Sequence, residues 1–187
     1  MRWIYQGRVY SDDQPIEINE VVYTARMLTP AERAAFAITE VIEQPMPDTR
    51  YGYASEDPAN PGAWIFTPFS ADQLKARLVS YAALARYAKE IGGTTIGGMQ
   101  VATDRDSQAM VNGAFAAAKD DATFTTTWKA ADGTWVPLDN ATILAVGRGV
   151  KAHVNSCFAT EASVSGQIAS GAITTYDAVD AAFAALT

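Results

Sequence analysis

Residues 91–138 read IGGTTIGGMQVATDRDSQAMVNGAFAAAKDDATFTTTWKAADGTWVPL. The stretch opens on a helix stop at Gly92-Gly93 and turns through a tight hairpin with Gly97-Gly98 at its tip. A capped helix follows, started by Asp104 or Thr103 and running through Ala118. It closes in a second hairpin over 123–138, whose strands carry Trp128 and Trp135 and whose tip is Asp132-Gly133. Gly-Gly and Asp-Gly between β-rich runs mark hairpins because primed turns need positive φ at their central residues. Neither hairpin is large enough to bury a core alone, so both must pack on the helices around them.

Working outward, Ser70-Ala71-Asp72-Gln73 is a capping box for a helix reaching about Ile91. Its apolar positions Leu74, Leu78, Tyr81, Ala85 and Ala88 form a seam about two heptads long, shorter than a coiled coil needs. The seam is read first as one amphipathic helix lying on its own domain, and second as a self-association neck. In the next helix Met110, Val111, Ala114 and Phe115 are expected to point inward. Asp139 caps the longest helix, from about Asn140 to Ser170, with Ile143, Val146, Val150, Val154, Cys157, Phe158, Val164 and Ile168 as its stripe. Gly147, Gly149 and Gly166 weaken that helix and imply a close neighbour. Gly171 ends it, and a last helix starts near Tyr176 with Val179, Phe183 and Leu186 on one face.

The front of the chain differs. Five of the eight prolines lie between Gln44 and Phe69, and residues 1–69 carry −5 of the −7 net charge. Trp3-Ile4-Tyr5, Gln6-Gly7 and Arg8-Val9-Tyr10 read as a hairpin. Ile16–Ile18, Val21–Tyr23 and Ile38–Ile42 read as further strands. Thr29-Pro30-Ala31-Glu32 starts a short helix ending near Phe36, with a second capping box. Tyr51-Gly52-Tyr53 and Trp64-Ile65-Phe66 flank the loop SEDPANPG, an exposed tip suited to a partner contact. The expected fold is α+β: a small β-rich module over 1–69, then a helix–hairpin–helix–hairpin–helix domain over 70–187.

Composition excludes several classes of function. A pI near 4.6 and the lack of any Lys/Arg run disfavour binding to a phosphate backbone, so no nucleic-acid partner is expected. No apolar run is long enough to span a bilayer, and no apolar leader follows Met1-Arg2, so membrane insertion is not expected and synthesis in a cytoplasm is. One cysteine cannot build an intrachain disulfide framework or a Cys₂ zinc motif.

His153, the lone histidine, forms an i, i+4, i+8 row with Cys157 and Glu161. Consecutive members lie about 6 Å apart along a helix axis, so the outer two cannot share an ion. A helix-interior cysteine also lacks free backbone N–H groups for an oxyanion. The row is therefore read as structural. Asp104-Arg105-Asp106-Ser107 could be a carboxylate pair or a divalent-ion site, but first-turn acids at a helix start are explained by capping and the macrodipole. Asp120-Asp121 marks a solvated turn. Gly92-Gly93 and Gly97-Gly98 lack the following Gly-Lys-Ser/Thr of a phosphate loop, and no helix opens on them as a dinucleotide fingerprint requires. Ser163-Val164-Ser165-Gly166 lies inside a helix and is no nucleophile elbow. The aromatics Trp3, Tyr5, Tyr10, Tyr51, Tyr53, Trp64 and Phe66 are read as packing rather than a sugar-stacking face. No catalytic, cofactor-binding or metal-binding residue is assigned.

Four segments carry a family resemblance: Ala85-Arg86-Tyr87 with Glu90-Ile91-Gly92-Gly93, then IGGMQVATDRDSQAMVNGAF, then TTWKAADGTWVPLDNATILAV, then VKAHVNSCFATEA. Together, over about 81–168, they resemble a tail-associated domain of unknown function found in bacteriophage proteins. The resemblance implies a non-enzymatic structural component of a tail fibre, tail tip or adaptor, located in the virion and bound to other tail or fibre proteins. It also leaves room for a homo-oligomer, including a trimer served by the seam from Leu74 to Ala88. The alternative is an assembly chaperone that leaves before the virion is complete. A third reading, an enzyme acting on host envelope sugars, has no paired carboxylates in a recognisable setting to support it. The family's motif offers no catalytic role to carry onto His153, Cys157 or Phe158.

Overall fold

The computed structural model describes residues 1–129 and 133–186. Helix takes 47% of the chain and strand 23%, and the small hairpins come first, so the fold is α+β. The chain divides into two compact units, Met1–Ser70 and Ala71–Thr187.

The first unit is built from short antiparallel pairs. β1 (Arg2–Tyr5) and β2 (Arg8–Ser11) form the expected hairpin in register Trp3 to Tyr10. β3 (Pro15–Ile18) and β4 (Val21–Thr24) form the next, followed by a 3₁₀ turn over Ala25–Met27. α1 (Pro30–Ala35) carries its full capping box: Thr29 Oγ1 accepts from the Glu32 N–H, and the Thr29 N–H donates to Glu32. The strand expected over Ile38–Ile42 shrinks to β5 (Thr39–Glu40), which joins the far edge of β1. Ile38 and Val41 are buried on either side of it while Ile42 is 82% exposed, so the apolar run serves burial more than a ladder. Trp3, Ile16, Ile18, Ala25, Leu28 and Ile38 make the core, flanked by Tyr5, Tyr10, Tyr23 and Phe36. The Trp3 indole donates to Asp12, and the Arg33 guanidinium lies 4.5 Å over its ring.

β6 (Gly52–Glu56) and β7 (Trp64–Pro68) pair around the expected tip. The tip is tied to itself: Asp57 accepts from the Ala59 N–H and the Asn60 amide, and Glu56 from the Gly62 N–H. Arg2 joins this hairpin to the preceding chain through Glu43 at 2.7 Å and Glu56 at 2.7 Å. Its hydrogen bonds hold both carboxyls below their ordinary range and raise its own pKa. A carboxyl pKa lowered by folding contributes stability above the unfolded value, about 4.3, and loses it as pH falls through the folded value. We expect Arg2→Met to destabilise this unit near pH 7 and to have a progressively smaller effect as pH falls below about 4.3. Urea unfolding of both proteins over that pH range checks this.

The second unit holds α2 (Ala71–Ile91), the hairpin β8 (Thr94–Ile96) and β9 (Met99–Val101), α3 (Arg105–Asp120), the hairpin β10 (Thr126–Lys129) and β11 (Trp135–Leu138), α4 (Asn140–Ser170) and α5 (Tyr176–Ala184). α2 begins directly after Ser70. Gly97 and Gly98 have φ of 58° and 84°, the positive pair that a primed turn demands. In the second hairpin the expected tip residue Asp132 lies outside the described residues. Asp104, not Thr103, caps α3, and Asp139 caps α4 by accepting from the Thr142 N–H.

α4 is the spine on which α2 and α3 pack, and α5 packs on both α2 and α4. Val101, Val111, Val146 and Val150 form one core cluster; Ala118, Leu138 and Ile143 form its neighbour. Leu78 and Tyr81 of the α2 seam pack within their own unit, whereas Ala88 is exposed. Leu78 is buried, the Tyr81 ring stands edge-on to Tyr176 at 4.9 Å, and the Tyr81 hydroxyl donates to Asp180. Two expected inward residues face out instead: Met110 is 59% exposed and Phe158 is 46% exposed. Of the four α3 residues expected inward, Val111 is fully buried and Ala114 and Phe115 are half-buried.

The α4 glycines divide by surroundings. A Cβ on Gly147 would collide with the Phe115 ring, and one on Gly149 would lie 2.6 Å from Ile96 Cδ1. A Cβ on Gly166 meets nothing within 4 Å. Gly166→Ala should therefore stabilise the unit by about 1 kcal/mol, its helix-propensity gain. Gly147→Ala has the same gain but overpacks the α3–α4 contact at about 1–3 kcal/mol. Opposite shifts of the two denaturation midpoints are the expected result.

Candidate functional site

The most chemically charged region is one that residue-by-residue reading passes over. Glu90, in the last turn of α2, is 0% exposed. The apolar stripe of α2 runs Leu78, Ala82, then through Arg86 to Glu90, all at spacing four, so the helix buries a charged pair where apolar residues began. Arg86 Nη1 donates to Glu90 Oε2, and Arg86 Nε donates to Glu161 on α4 at 2.9 Å. Arg105, from the first turn of α3, reaches Glu90 Oε1 at 3.0 Å, and Gln108 contacts the same oxygen at 3.4 Å. The Arg86 guanidinium is also stacked 4.5 Å from the Phe158 ring, which explains an exposed phenylalanine on α4. Burial opposes the Arg86 charge, but its hydrogen bonds to Glu90 and Glu161 outweigh it and raise the pKa.

Thr103 completes the cluster from the backbone side. It is fully buried; its hydroxyl donates to the Glu90 carbonyl at 2.5 Å and accepts from the Gly93 N–H at 2.9 Å. The Gln108 amide donates to the Thr103 carbonyl at 2.6 Å. One threonine thus satisfies both the end of α2 and the entry to the β8–β9 hairpin.

The His153 row separates into two jobs. His153 Nε2 lies 3.1 Å from the Lys89 carbonyl and 3.3 Å from the Glu90 carbonyl. Carbonyl oxygens only accept, so Nε2 carries the proton and is committed to the C-terminus of α2. Cys157 Sγ is 3.9 Å from the same nitrogen and is 0% exposed. Desolvation first, then the Glu90 charge, pushes the thiol above its ordinary pKa. A nucleophilic cysteine needs the reverse, a lowered pKa and access. Glu161 belongs to Arg86 rather than to His153.

Asp104 uses both carboxylate oxygens on the start of α3: Oδ1 accepts from the Asp106 and Ser107 N–H groups and Oδ2 from the Ser107 hydroxyl at 2.6 Å. These bonds, the Ser107 hydroxyl first, lower its pKa. Asp121 caps its turn by accepting from Thr123, which lowers its pKa likewise. Of the aromatics, Trp3, Tyr5 and Tyr10 belong to the first unit's core, whereas Tyr53 is 64% exposed with its ring edge-on to Phe69.

Surface depressions on the second unit include two regions around α2. Tyr81 and Leu84 are shared by two adjoining shallow depressions, one running toward Ala76 and Tyr176, the other toward Ala88 and Phe183. Leu84 itself is 66% exposed. Near the end of α2, a space of about 520 Å³ is lined by Lys89, Gly92, Gly93, Thr94, Thr95, Gln100 and His153. Cys157 is not among its walls.

A family model described as "Domain of unknown function (DUF4376)" matches residues 73–183, more than half of the chain. No curated protein and no solved structure matches it.

Proposed function

We propose, on the premise that this chain belongs to the DUF4376 domain family, that it is a non-enzymatic structural component of a bacteriophage tail, working through contacts with other tail or fibre proteins in the virion. The setting rests on the resemblance of its 81–168 segments to the tail-associated domain. The mode of action rests on the structure's surfaces. The observation that carries it is the α2–α5 face around Leu84, a large exposed side chain between two shallow apolar depressions. Such faces suit flat protein contacts better than small-molecule chemistry. The use of Glu90, Asp104 and Cys157 as packing and capping groups supports the same reading, since each is committed to a structural partner or is buried.

Quantitative mass spectrometry of purified virions tests it. A structural component is present at fixed stoichiometry with the tail proteins. An assembly chaperone is missing from the virion but co-purifies with newly made fibre, and that result would replace this reading. Leu84→Asp should leave the fold intact and reduce incorporation.

A further inference from the structure

We propose that the space over His153 is a binding site for a small neutral hydroxyl-rich molecule of the polyol or sugar class, held by its O–H groups. The site shares Lys89 but not Leu84 with the depression on the α2–α5 face, and it does not depend on the tail assignment.

His153 is 8% exposed and so more than nine-tenths buried. Its Nε2 proton is taken by the Lys89 and Glu90 carbonyls. In the neutral imidazole Nδ1 then carries a lone pair. No protein group partners Nδ1 among the described residues, yet no buried side-chain nitrogen or oxygen is left unsatisfied. Nδ1 therefore keeps some exposure to solvent, and His153 lines the space described above. A buried histidine whose tautomer is fixed from behind, and whose acceptor nitrogen stays open to solvent, is a preorganised recognition group.

The other walls supply complementary chemistry. Lys89 brings three ammonium donors and has no carboxylate partner among the described residues. Thr94 adds a hydroxyl. Gln100 Nε2 donates to Thr95 Oγ1 at 2.7 Å, which leaves the Thr95 O–H to donate outward and the Gln100 carbonyl to accept. The wall thus mixes donors and acceptors. A hydroxyl can donate to Nδ1 and accept from Lys89 or Thr94 at once. A carboxylate or a phosphodiester has no proton for Nδ1, and an apolar molecule would leave these groups without partners. A volume of about 520 Å³ lies in the range of small-ligand pockets.

Because the chain has a single histidine, its imidazole nitrogens give an unambiguous signal. The intact chain, ¹⁵N-labelled, is titrated at about pH 8, above the ordinary histidine range, with glucose, galactose and N-acetylglucosamine, and separately with phosphate and acetate. The expected result is a saturable shift of Nδ1 with at least one neutral sugar and little movement of Nε2. Lys89→Met with Thr94→Val should weaken that binding by about tenfold or more while the amide spectrum keeps its dispersion. The proposal is overturned if no sugar moves Nδ1, if only phosphate or acetate does, if the variant binds as tightly as the parent, or if Nε2 is the unprotonated nitrogen.

Discussion

Arg86→Ala is expected to lower the unfolding free energy by about 3–5 kcal/mol. Glu90 stays behind with 0% exposure and loses its closest cation. Arg105 still reaches the carboxylate at 3.0 Å, but that side chain is 58% exposed and its pairing is screened by water. Glu161 loses its partner too, although at 24% exposure it can recruit solvent. The asymmetry matters: breaking a buried pair costs far more than the pair contributes against apolar residues of similar size. Arg86→Met with Glu90→Leu should therefore be less destabilising than Arg86→Ala alone. Urea denaturation of the three proteins decides it. If the single variant unfolds at the parent's midpoint, Glu90 is not desolvated as described.

Most boundaries in the second unit were legible because local chemistry sets them. Asp139 and Gly171 bracket α4 as a side-chain cap and a left-handed stop, and Gly97-Gly98 dictates the hairpin turn. The front hairpins and the capping box at Thr29 follow for the same reason. What was not legible depends on three elements meeting. Glu90 reads as an ordinary surface acid until Arg105 on α3 and Glu161 on α4 arrive at it. The one signal present was the continuation of the Leu78–Ala82 stripe into Arg86 and Glu90 at spacing four, which marks a paired charge on an inward face. Periodicity also misplaced Met110 and Phe158, since it gives a stripe's direction but not its width. Thr103 shows the same limit. Its cap-like identity pointed to α3, whereas its hydroxyl serves the end of α2. The acceptor nitrogen of His153 could not be read at all before its backbone partners were known, because either ring nitrogen can carry the proton.

Leu78→Ala should cost about 2–5 kcal/mol, with the exact value set by how far α4 and α5 collapse onto the gap. Leu78 is 1% exposed at the centre of the seam that a sequence reading could assign either to internal packing or to a self-association neck. The two assignments predict different observables. A neck residue, once truncated, weakens assembly first, so mass falls before structure does. A core residue lowers the unfolding midpoint at every protein concentration and leaves the mass of the folded protein unchanged. The geometry favours the second outcome. Neighbouring Tyr81 is already stacked on Tyr176 and bonded to Asp180, and Lys75 donates to the Ala169 carbonyl at 2.8 Å, so α2 is fastened along its length to α4 and α5. Leu84 offers the contrast within the same helix. It lies outside that packing, and Leu84→Ala should change stability by less than about 0.5 kcal/mol. Light scattering and chemical denaturation of both variants, run over a hundredfold range of concentration, separate core from contact surface on one helix. A concentration-dependent midpoint for Leu78→Ala would return the seam to self-association.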